Sequence, residues 1–307
     1  HEGFHFVCAR SRLDLADIRG PMANLTLVVV FGSLRGGERA WRTLLEHVVW
    51  LARADLAVSA PDTPKSRHLL ASSGALAHAR HVWFEREYAD WGVRLRELLG
   101  DGWARANLTL SHNVSGGITA PDGRRLRGSG AIQLALRMSV LARLDALASR
   151  LDGSGYYTVA LTRSDHYYAC ATPLPPFADA DILVPPGGVI PRQVTRGDVT
   201  DRFAVFHFAD RRRVLAVLPW LSGGGCAQCK SPEHALSTYW REVGLRVRRD
   251  VPRTMFTVGL PGRDASRWQT LTYPAPPDGA LWCKYEAEYR DASGTCKLRE
   301  RGCRRPD

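Results

Sequence analysis

Long uninterrupted apolar runs are missing from this sequence of 307 residues. The longest strand-like run extends only from Leu25 to Phe31, whereas a helix that crosses a bilayer needs about 18 to 20 apolar residues in succession. No transmembrane helix is therefore predicted in this segment. The sequence begins at His1 rather than at methionine, so we expect a processed product or fragment, with membrane attachment only through a missing N-terminal anchor.

Lysine is scarce, and arginine therefore carries nearly all of the net charge of +11. An excess of this kind favours an anionic partner such as a nucleotide diphosphate, a sulfated glycan, a membrane surface or nucleic acid. The alternative is compositional drift, because alanine, arginine, glycine and proline are abundant together, as in proteins encoded by GC-rich DNA. The composition leaves both interpretations open.

Several catalytic signatures are also absent. The sequence contains no Gly-x-Ser-x-Gly elbow, no His-Glu-x-x-His pair and no protein-kinase signature. No pattern of cysteine and histidine fits a zinc-finger module, and the basic residues do not alternate with aromatic residues as in a platform for nucleic acid. Nucleic acid is therefore not an expected partner.

The cysteines are concentrated near the end of the sequence, where five of the seven follow residue 225. This distribution favours disulfides in an oxidising compartment, although the odd number leaves one thiol free or in an intermolecular bond. Cys226 and Cys229 also have the spacing of zinc ligands, but no second such pair accompanies them. Three Asn-x-Ser/Thr acceptors for glycosylation, at Asn24, Asn107 and Asn113, modestly support a secretory setting.

Alternating strand and helix patterns predict an α/β fold. Residues 24–31 form a continuous apolar strand, a helix follows over residues 38–54, and residues 55–60 form a second strand, which together make a βαβ unit. We also expect a helix within residues 79–99 and another over residues 128–151. Later segments of both types complete a mostly parallel or mixed central sheet that is flanked by helices, followed by a Cys-rich C-terminal segment.

The first candidate site is the turn that contains Gly32, Arg35 and Gly36, between the first strand and its helix. Glycines at such a turn let backbone amides approach a phosphate, and the N-terminus of a helix favours an anion. The pattern is neither a dinucleotide fingerprint nor a P-loop. A tight turn with a solvated arginine is the structural alternative.

The second candidate contains Arg163 and Asp165, directly after a predicted buried strand. A carboxylate at the end of a strand can bind a divalent metal while the nearby guanidinium binds a phosphate. Alternatively, Arg163 and Asp165 form a structural ion pair, or Asp165 caps a helix. The neighbouring His166 more often packs than acts as a ligand.

Three further groups of residues complete the candidates. Asp198 and Asp201 lie before a predicted strand and could act as a base for an acceptor hydroxyl, although Asp201 could instead pair with Arg202. Ser129 and Gln133 lie at the start of the long helix, where they either bind a diphosphate or nucleoside or belong to an ordinary core helix that Ser129 caps. Lys284 could clamp a leaving diphosphate or belong to a solvated charged face.

Four of these segments together resemble a poorly characterised family similar to nucleotide-sugar transferases of the GT-A type. They are Phe31-Gly-Ser-Leu-Arg-Gly-Gly, Gly-Ser-Gly-Ala-Ile-Gln, Leu161-Thr-Arg-Ser-Asp-His-Tyr-Tyr and Asp198-Val-Thr-Asp-Arg-Phe. The resemblance implies a Rossmann-like domain over residues 24–290, with an N-terminal extension over residues 1–23 and a basic, Cys-containing tail over residues 291–307.

The resemblance also implies a glycosyltransferase of the secretory pathway, in the Golgi lumen, that moves a sugar from a nucleotide-sugar donor to a glycan or glycoprotein acceptor. Asp165 stands where the metal-binding acid of the usual Asp-x-Asp motif would lie and would hold Mn²⁺ or Mg²⁺. Arg163 stands in place of the first acid, so it can replace part of the charge of the metal. The alternatives are a non-catalytic secreted module that binds anionic glycans and, less favoured, a luminal sulfotransferase.

Overall fold

A computed structural model of the chain describes residues 25–100, 103, 115–119, 123, 125–127, 129–150, 155–186, 199–226, 229, 231–259, 273–275 and 281–297. The strands in these ranges are β1 (Leu25–Phe31), β2 (Asp55–Pro61), β3 (Ala79–Glu85), β4 (Ser115–Thr119), β5 (Arg125–Arg127), β6 (Tyr156–Arg163), β7 (His166–Tyr168), β8 (Asp181–Leu183), β9 (Phe203–His207), β10 (Arg246–Arg248), β11 (Met255–Gly259), β12 (Tyr273–Ala275) and β13 (Leu281–Cys283). The α-helices are α1 (Gly37–Leu44), α2 (Pro64–Ser72), α3 (Trp91–Leu99), α4 (Ser129–Arg150), α5 (Arg211–Leu215), α6 (Val217–Ser222), α7 (Pro232–Glu242) and α8 (Glu286–Cys296).

The main sheet has seven strands in the order β10-β8-β9-β6-β1-β2-β3. Strands β6, β1, β2 and β3 are parallel, and β10 is parallel to β8. Strand β9 is antiparallel to both of its neighbours, β6 and β8. The expected α/β class, with a mostly parallel central sheet flanked by helices, is confirmed and is compatible with a Rossmann-like arrangement.

Both faces of this sheet are covered, which explains why β1 reads as an uninterrupted apolar run. Leu27 and Val29 pack into the core on the side of α3 and α4, whereas Val28 and Val30 pack on the side of α1. All four side chains are completely buried. Alternation along a strand thus directs successive apolar residues into two different cores.

A second, antiparallel sheet has the order β12-β13-β11-β7 and packs against α8. Strand β7 follows β6 after a short turn and pairs with β11, with His166 opposite Thr257. The backbone amide of Val258 donates to the carbonyl of Asp165 at 2.8 Å. The second sheet therefore holds the segment that leaves the carboxyl end of β6.

Two helix predictions have wrong limits. The helix expected over residues 38–54 consists of α1 and a π-helical segment, Leu45–Val49. Residues 79–99 contain strand β3 before helix α3. Val82, Trp83 and Phe84 have side chains that favour strands, and α3 begins only where the Asp90 carboxylate accepts a hydrogen bond from the Gly92 amide at 2.8 Å.

The long helix agrees with its prediction, whereas the predicted domain limit at residue 290 falls inside a helix. The helix expected over residues 128–151 is α4, and α8 runs without a break across residue 290, where the sequence resemblance ends the α/β domain. The proposed extension over residues 1–23 lies outside the described residues, as do residues 298–307 of the proposed tail. Within the described ranges, no helix combines the length and apolar character needed to cross a membrane.

Two disulfides join described cysteines. Cys226 bonds to Cys229, so a disulfide rather than a zinc site accounts for this spacing. Cys170, after β7, bonds to Cys296 at the end of α8, across 126 residues of chain. The second bond ties α8 to the sheet against which it packs.

Replacing both Cys170 and Cys296 with serine is expected to lower the free energy of unfolding by about 5 kcal/mol, because the bond closes a long loop in the unfolded chain. The matched variant, with Cys226 and Cys229 both replaced by serine, should lose only about 2 kcal/mol, because its loop is short. Urea unfolding of both variants measures the difference, and equal losses would contradict it.

Candidate functional site

The candidate site lies where the direction of strand addition in the main sheet reverses. From β1 the chain adds β2 and β3 on one side, whereas β6 joins β1 on the other side. In open α/β sheets, ligands bind beyond the carboxyl ends of the strands at such a switch point. The segments that leave β1 and β6 at this point are the Gly32–Gly37 turn and the Arg163–Asp165 turn, both singled out in the sequence.

These two turns are in direct contact. The indole Nε1 of Trp41 donates to the carbonyl of Ser164 at 2.9 Å, and the Ser164 hydroxyl donates to the carbonyl of Ser33. A Cβ atom added to Gly36 would lie only 2.2 Å from the Ser164 carbonyl oxygen. Gly36 is therefore required for this close approach, and Gly32, with a φ of +98°, supplies the turn that precedes it.

Asp165 holds two arginines from different parts of the chain. Its carboxylate accepts hydrogen bonds from Arg163 Nε at 2.8 Å and from Arg163 Nη2 at 2.6 Å. Arg35 Nη2 also donates to this carboxylate, at 3.2 Å. Asp165 is only 3% exposed, whereas the side chains of Arg163 and Arg35 are 12% and 18% exposed. The two arginine side chains are therefore held by a buried acid while part of their own surface stays exposed.

The charges of these arginines determine the ionisation of Asp165. Burial by itself would raise the pKa of the carboxyl group, but the positive charges of Arg163 and then Arg35 outweigh it and hold the pKa well below its usual range. Burial lowers the pKa of the neighbouring His166 to about 4. At neutral pH the turn therefore contains an ionised Asp165, two arginines and a neutral imidazole.

These residues do not fit the divalent metal expected at Asp165. Both carboxylate oxygens already accept hydrogen bonds from guanidinium groups, which a metal would have to displace. Hard divalent cations also need several oxygen ligands. No group of three or more His, Cys, Asp or Glu side chains in the described ranges is placed to hold a metal ion. The Arg163–Asp165 ion pair, the alternative considered from the sequence, is present.

The antiparallel direction of β9 brings Asp201 and Arg202 to the same edge of the sheet. Phe203, at the start of β9, lies opposite Thr162 near the carboxyl end of β6. Arg202 Nη1 donates to Glu288 of α8 and to Thr257 Oγ1 of β11, and its guanidinium lies 4.4 Å from the centre of the Tyr285 ring. A buried ion pair thus joins the main sheet to the second sheet and its helix.

Unpartnered buried polar atoms surround Asp201. Arg137 Nη2 donates to the backbone carbonyl of Asp201, but Arg137 Nε and Nη1 and Asp201 Oδ1 have no hydrogen-bond partner within the described residues. Arg137 is almost completely buried, and desolvation lowers its pKa to about 10 despite the opposing charge of Asp201. It remains a cation at neutral pH, and its unused donors suit an anionic or polyhydroxyl ligand.

Glu233, in the first turn of α7, is a functional candidate that was not selected from the sequence. Burial, followed by the charge of Asp201, raises its pKa to about 7. Helix α7 begins at Pro232, after Ser231, whose hydroxyl oxygen accepts from the His234 amide at 3.2 Å. The start of α7 could be predicted from the sequence. The proximity of Asp201 to Glu233 depends instead on how β9 and α7 pack.

We call these groups the charged cluster. It contains four arginines and four carboxylates, and most of its members are buried. The charges are equal in number, so what favours a bound anion is the pair of buried Arg137 donors that have no hydrogen-bond partner within the described residues. The members of the charged cluster are Arg35, Arg137, Arg163, Asp165, Asp201, Arg202, Glu233 and Glu288.

A cavity of about 330 Å³ lies beside the cluster, beyond the carboxyl ends of β1 and β2. Its volume is in the range of pockets that bind small molecules. Arg35 contributes to its wall, as do apolar and hydroxyl side chains from four other segments. These include Pro61, Thr63, Ser66, Trp91, Ile132 and Leu136.

Not all of the other residues predicted from the sequence have a described position near the cavity or the charged cluster. Gln133 lies on α4 between the cavity residue Ile132 and the cluster residue Arg137, and its Oε1 atom is buried without a described partner. Ser129 begins α4. Lys284 is 8% exposed, and its amide donates to the carbonyl of Thr257, which also contacts Arg202. Asp198 lies outside the described residues.

Replacing Gly36 with alanine is expected to lower the free energy of unfolding by about 1 to 3 kcal/mol, since the new methyl group would collide with the Ser164 backbone. The matched variant Gly294→Ala adds a methyl group on α8 that meets no atom within 4 Å, so it should be neutral or stabilising. Thermal unfolding distinguishes the two variants. A Gly36→Ala variant as stable as the wild type would show that the close approach of the two turns is not required for folding.

Replacing Glu233 with glutamine should make the protein more stable at pH 8 but not at pH 4. The raised pKa means that the folded state keeps a proton that the unfolded state releases, so wild-type stability falls between pH 4.5 and about pH 7. The difference between the two proteins should approach about 3 kcal/mol above pH 7. Urea unfolding at both pH values measures it, and a gain of equal size at pH 4 would contradict the assignment.

Comparison with protein-family models finds no family that matches this chain, and comparison with curated proteins finds no match either. The chemistry open to the site therefore follows from its own geometry. That geometry consists of a cavity of the size that small molecules occupy, two arginines fixed by Asp165, and a charged cluster in which buried Arg137 has unused hydrogen-bond donors.

Proposed function

We propose that this chain is a glycosyltransferase that moves a sugar from a nucleotide-sugar donor to a glycan or glycoprotein acceptor. One observation carries the proposal: a cavity at the carboxyl ends of the parallel strands adjoins a group of arginines held by a buried aspartate. A nucleoside fits the cavity, and its diphosphate fits the arginines. The GT-A resemblance of the sequence is part of the same proposal.

The wall of the cavity suits a nucleoside. Trp91, Ile132 and Leu136 provide apolar surface for a planar base, and Thr63 and Ser66 provide hydroxyl groups at the start of α2. Pockets for cofactors combine a mostly apolar lining with a small number of polar groups in this way. Arg35 lies where the cavity meets the charged cluster, so a base bound in the cavity would direct its phosphates toward the arginines.

Arg35 and Arg163 would stabilise the departing diphosphate. Negative charge accumulates on the leaving oxygen as the bond to the sugar breaks, and donors already in place stabilise that charge without reorganising. Asp165 holds both guanidinium groups in position before the ligand binds. Since Asp165 is committed to this role, the proposed reaction uses arginines where the sequence resemblance implies Mn²⁺ or Mg²⁺.

A secretory setting forms part of the proposal. The disulfides between described cysteines suit an oxidising compartment such as the lumen of the Golgi. The acceptor would then be a glycan or glycoprotein that passes through the same compartment.

The arrangement of the surface arginines bears on the alternative of a module that only binds anionic glycans. The longest run of arginines in the described part, Arg211 to Arg213, is paired with Asp145 and Asp210. Ion pairing reduces the charge that such a run offers to a sulfated polymer. The arginine donors without described partners are those of buried Arg137, which a small anion reaches more easily than a polymer.

Binding of nucleoside diphosphates tests the proposal. UDP, GDP or CDP, or a sugar nucleotide of the same base, is expected to raise the melting temperature in the presence of EDTA, because a ligand that binds only the folded state stabilises it. Arg35→Ala should raise the Kd for the nucleotide roughly 10-fold to 100-fold, since a hydrogen bond between charged groups is lost.

The control is Arg212→Ala. This variant removes an exposed arginine that is paired with Asp145 and is not part of the candidate site. It should bind like the wild type. No shift with any of these nucleotides, together with a shift on adding heparin, would favour the glycan-binding module. A shift with adenosine phosphosulfate alone would favour a sulfotransferase.

A further inference from the structure

A second cavity, of about 490 Å³, lies at the other end of the main-sheet strands from the candidate site. Residues from the start of β6, the turn before β8 and the end of β9 form its wall. We call it the His207 cavity, after the histidine that ends β9. Strand β6 runs from Tyr156, in this wall, to Arg163, in the candidate site, a length of roughly 23 Å. A small molecule therefore occupies one of these places and not both.

The imidazole of His207 is the feature of this wall that points to a ligand. The side chain is only 3% exposed, and neither Nδ1 nor Nε2 has a hydrogen-bond partner among the described residues. Asp179 Oδ1 lies 3.5 Å from Nε2, but the pair lacks the geometry of a hydrogen bond. Buried polar groups are nearly always hydrogen-bonded, because a group without a partner has lost its water and gained nothing in return. Both ring nitrogens are therefore available to a molecule bound in the cavity.

The charged groups of the wall differ in how far they are already engaged. Arg211 Nε donates to Asp145 Oδ1 at 2.7 Å. Arg213 Nη1 donates to Asp210 Oδ1 at 2.8 Å. The side chain of Asp179 is 95% exposed, and its carboxylate makes no hydrogen bond to the described residues. The groups left to bind a ligand are therefore this carboxylate and the buried imidazole.

Aromatic rings flank the imidazole. The ring centres of Tyr157 and Phe177 each lie 4.4 Å from that of His207. Tyr157 lines the cavity and is 45% exposed, although it belongs to a strand of the main sheet. The face of an aromatic ring carries partial negative charge, so it attracts the weakly positive C–H groups on one face of a sugar ring. The wall thus combines an exposed aromatic surface with groups that form hydrogen bonds.

The available groups match hydroxyl groups better than they match ions. A neutral imidazole offers one donor and one acceptor, whereas a carboxylate offers acceptors only. Hydroxyl groups donate and accept, so neighbouring hydroxyls can satisfy both nitrogens of His207 and the carboxylate of Asp179. A phosphate would meet the negative charge of Asp179, and an ammonium group has no acceptor for the imidazole N–H. A neutral ligand with several hydroxyl groups fits best.

We propose that the His207 cavity is a carbohydrate-binding site separate from the candidate site. Tyr157 packs against one face of a sugar ring, and His207 and Asp179 form hydrogen bonds with neighbouring hydroxyl groups of that sugar. The volume of about 490 Å³ lies in the range of pockets that bind small molecules. No member of the charged cluster lines this cavity among the described residues, so the inference does not depend on the proposed transfer reaction.

Saturation-transfer NMR with simple glycosides tests the proposal. The probes are the methyl glycosides of glucose, galactose, mannose, xylose and N-acetylglucosamine. At least one of them should receive saturation from the wild-type protein, and a titration gives its Kd. The same glycoside should shift the imidazole nitrogen resonances of His207 in long-range proton–nitrogen spectra, whereas tetramethylammonium and methyl phosphate should not.

Two variants remove groups of the cavity that are not buried, so both should fold normally. Asp179→Ala should raise the Kd for the glycoside about 10-fold or more, since a hydrogen bond to a charged group is lost. Tyr157→Ala should weaken binding similarly, because it removes the aromatic surface. The matched controls are Asp291→Ala, which removes an exposed carboxylate on α8, and Trp50→Ala, which removes an aromatic ring that is 54% exposed. Both should bind like the wild type.

Three results would overturn the proposal. The first is the absence of saturation transfer to every glycoside. The second is a glycoside that binds both cavity variants as tightly as it binds the wild type, because the sugar would then lie elsewhere. The third is a shift of the His207 resonances with tetramethylammonium or methyl phosphate but with no glycoside, which would identify an ionic ligand. Arg35→Ala should keep its affinity for the glycoside even where nucleotide binding is lost, so this inference and the proposed function fail independently.

Discussion

The ion-pair group of Arg35, Asp165 and Arg163 is the interaction on which the rest of the site depends. It joins the turn after β1 to the turn after β6 at the point where the sheet changes direction. A carboxylate buried with two guanidinium groups is stable only when its partners stay in place, because breaking such a pair leaves an uncompensated buried charge. The same requirement keeps the two turns together and holds Arg35 in the wall of the cavity.

A second buried ion pair extends this arrangement to the other sheet. Arg202, at the start of β9, is joined to Glu288 of α8, and Glu288 also accepts a hydrogen bond from the Thr257 amide at 2.9 Å. Elements that are distant in the sequence thus meet through charges rather than through apolar packing alone. Ion pairs of this kind depend on geometry, so the position of each partner limits how far the others can move.

Much of the sheet could be predicted from local sequence. The apolar run of β1, the Gly-rich turn after it and the amphipathic α1 identify a βαβ unit, because their patterns depend only on neighbouring residues. The two turns that bear Arg35 and Asp165 could be selected for the same reason, since each directly follows a buried strand.

Features that depend on distant parts of the chain could not be predicted in this way. The direction of β9 decides whether Asp201 lies at the carboxyl edge of the sheet or at the opposite edge, and its sequence contains no signal for that direction. The importance of Glu233 likewise depends on its proximity to Asp201. The ligand role suggested for Asp165 was plausible locally, because only the fold brings Arg35 to the same carboxylate.

The disulfide between Cys170 and Cys296 has a consequence for biosynthesis. The ribosome releases the chain from its N-terminus, so the main sheet emerges long before α8, which carries both Glu288 and one of the two cysteines. Until α8 arrives, Arg202 lacks Glu288 and Cys170 lacks Cys296. Neither the covalent bond nor the ion pair can therefore form before α8 has been synthesised, although the strands that border the cavity are made much earlier.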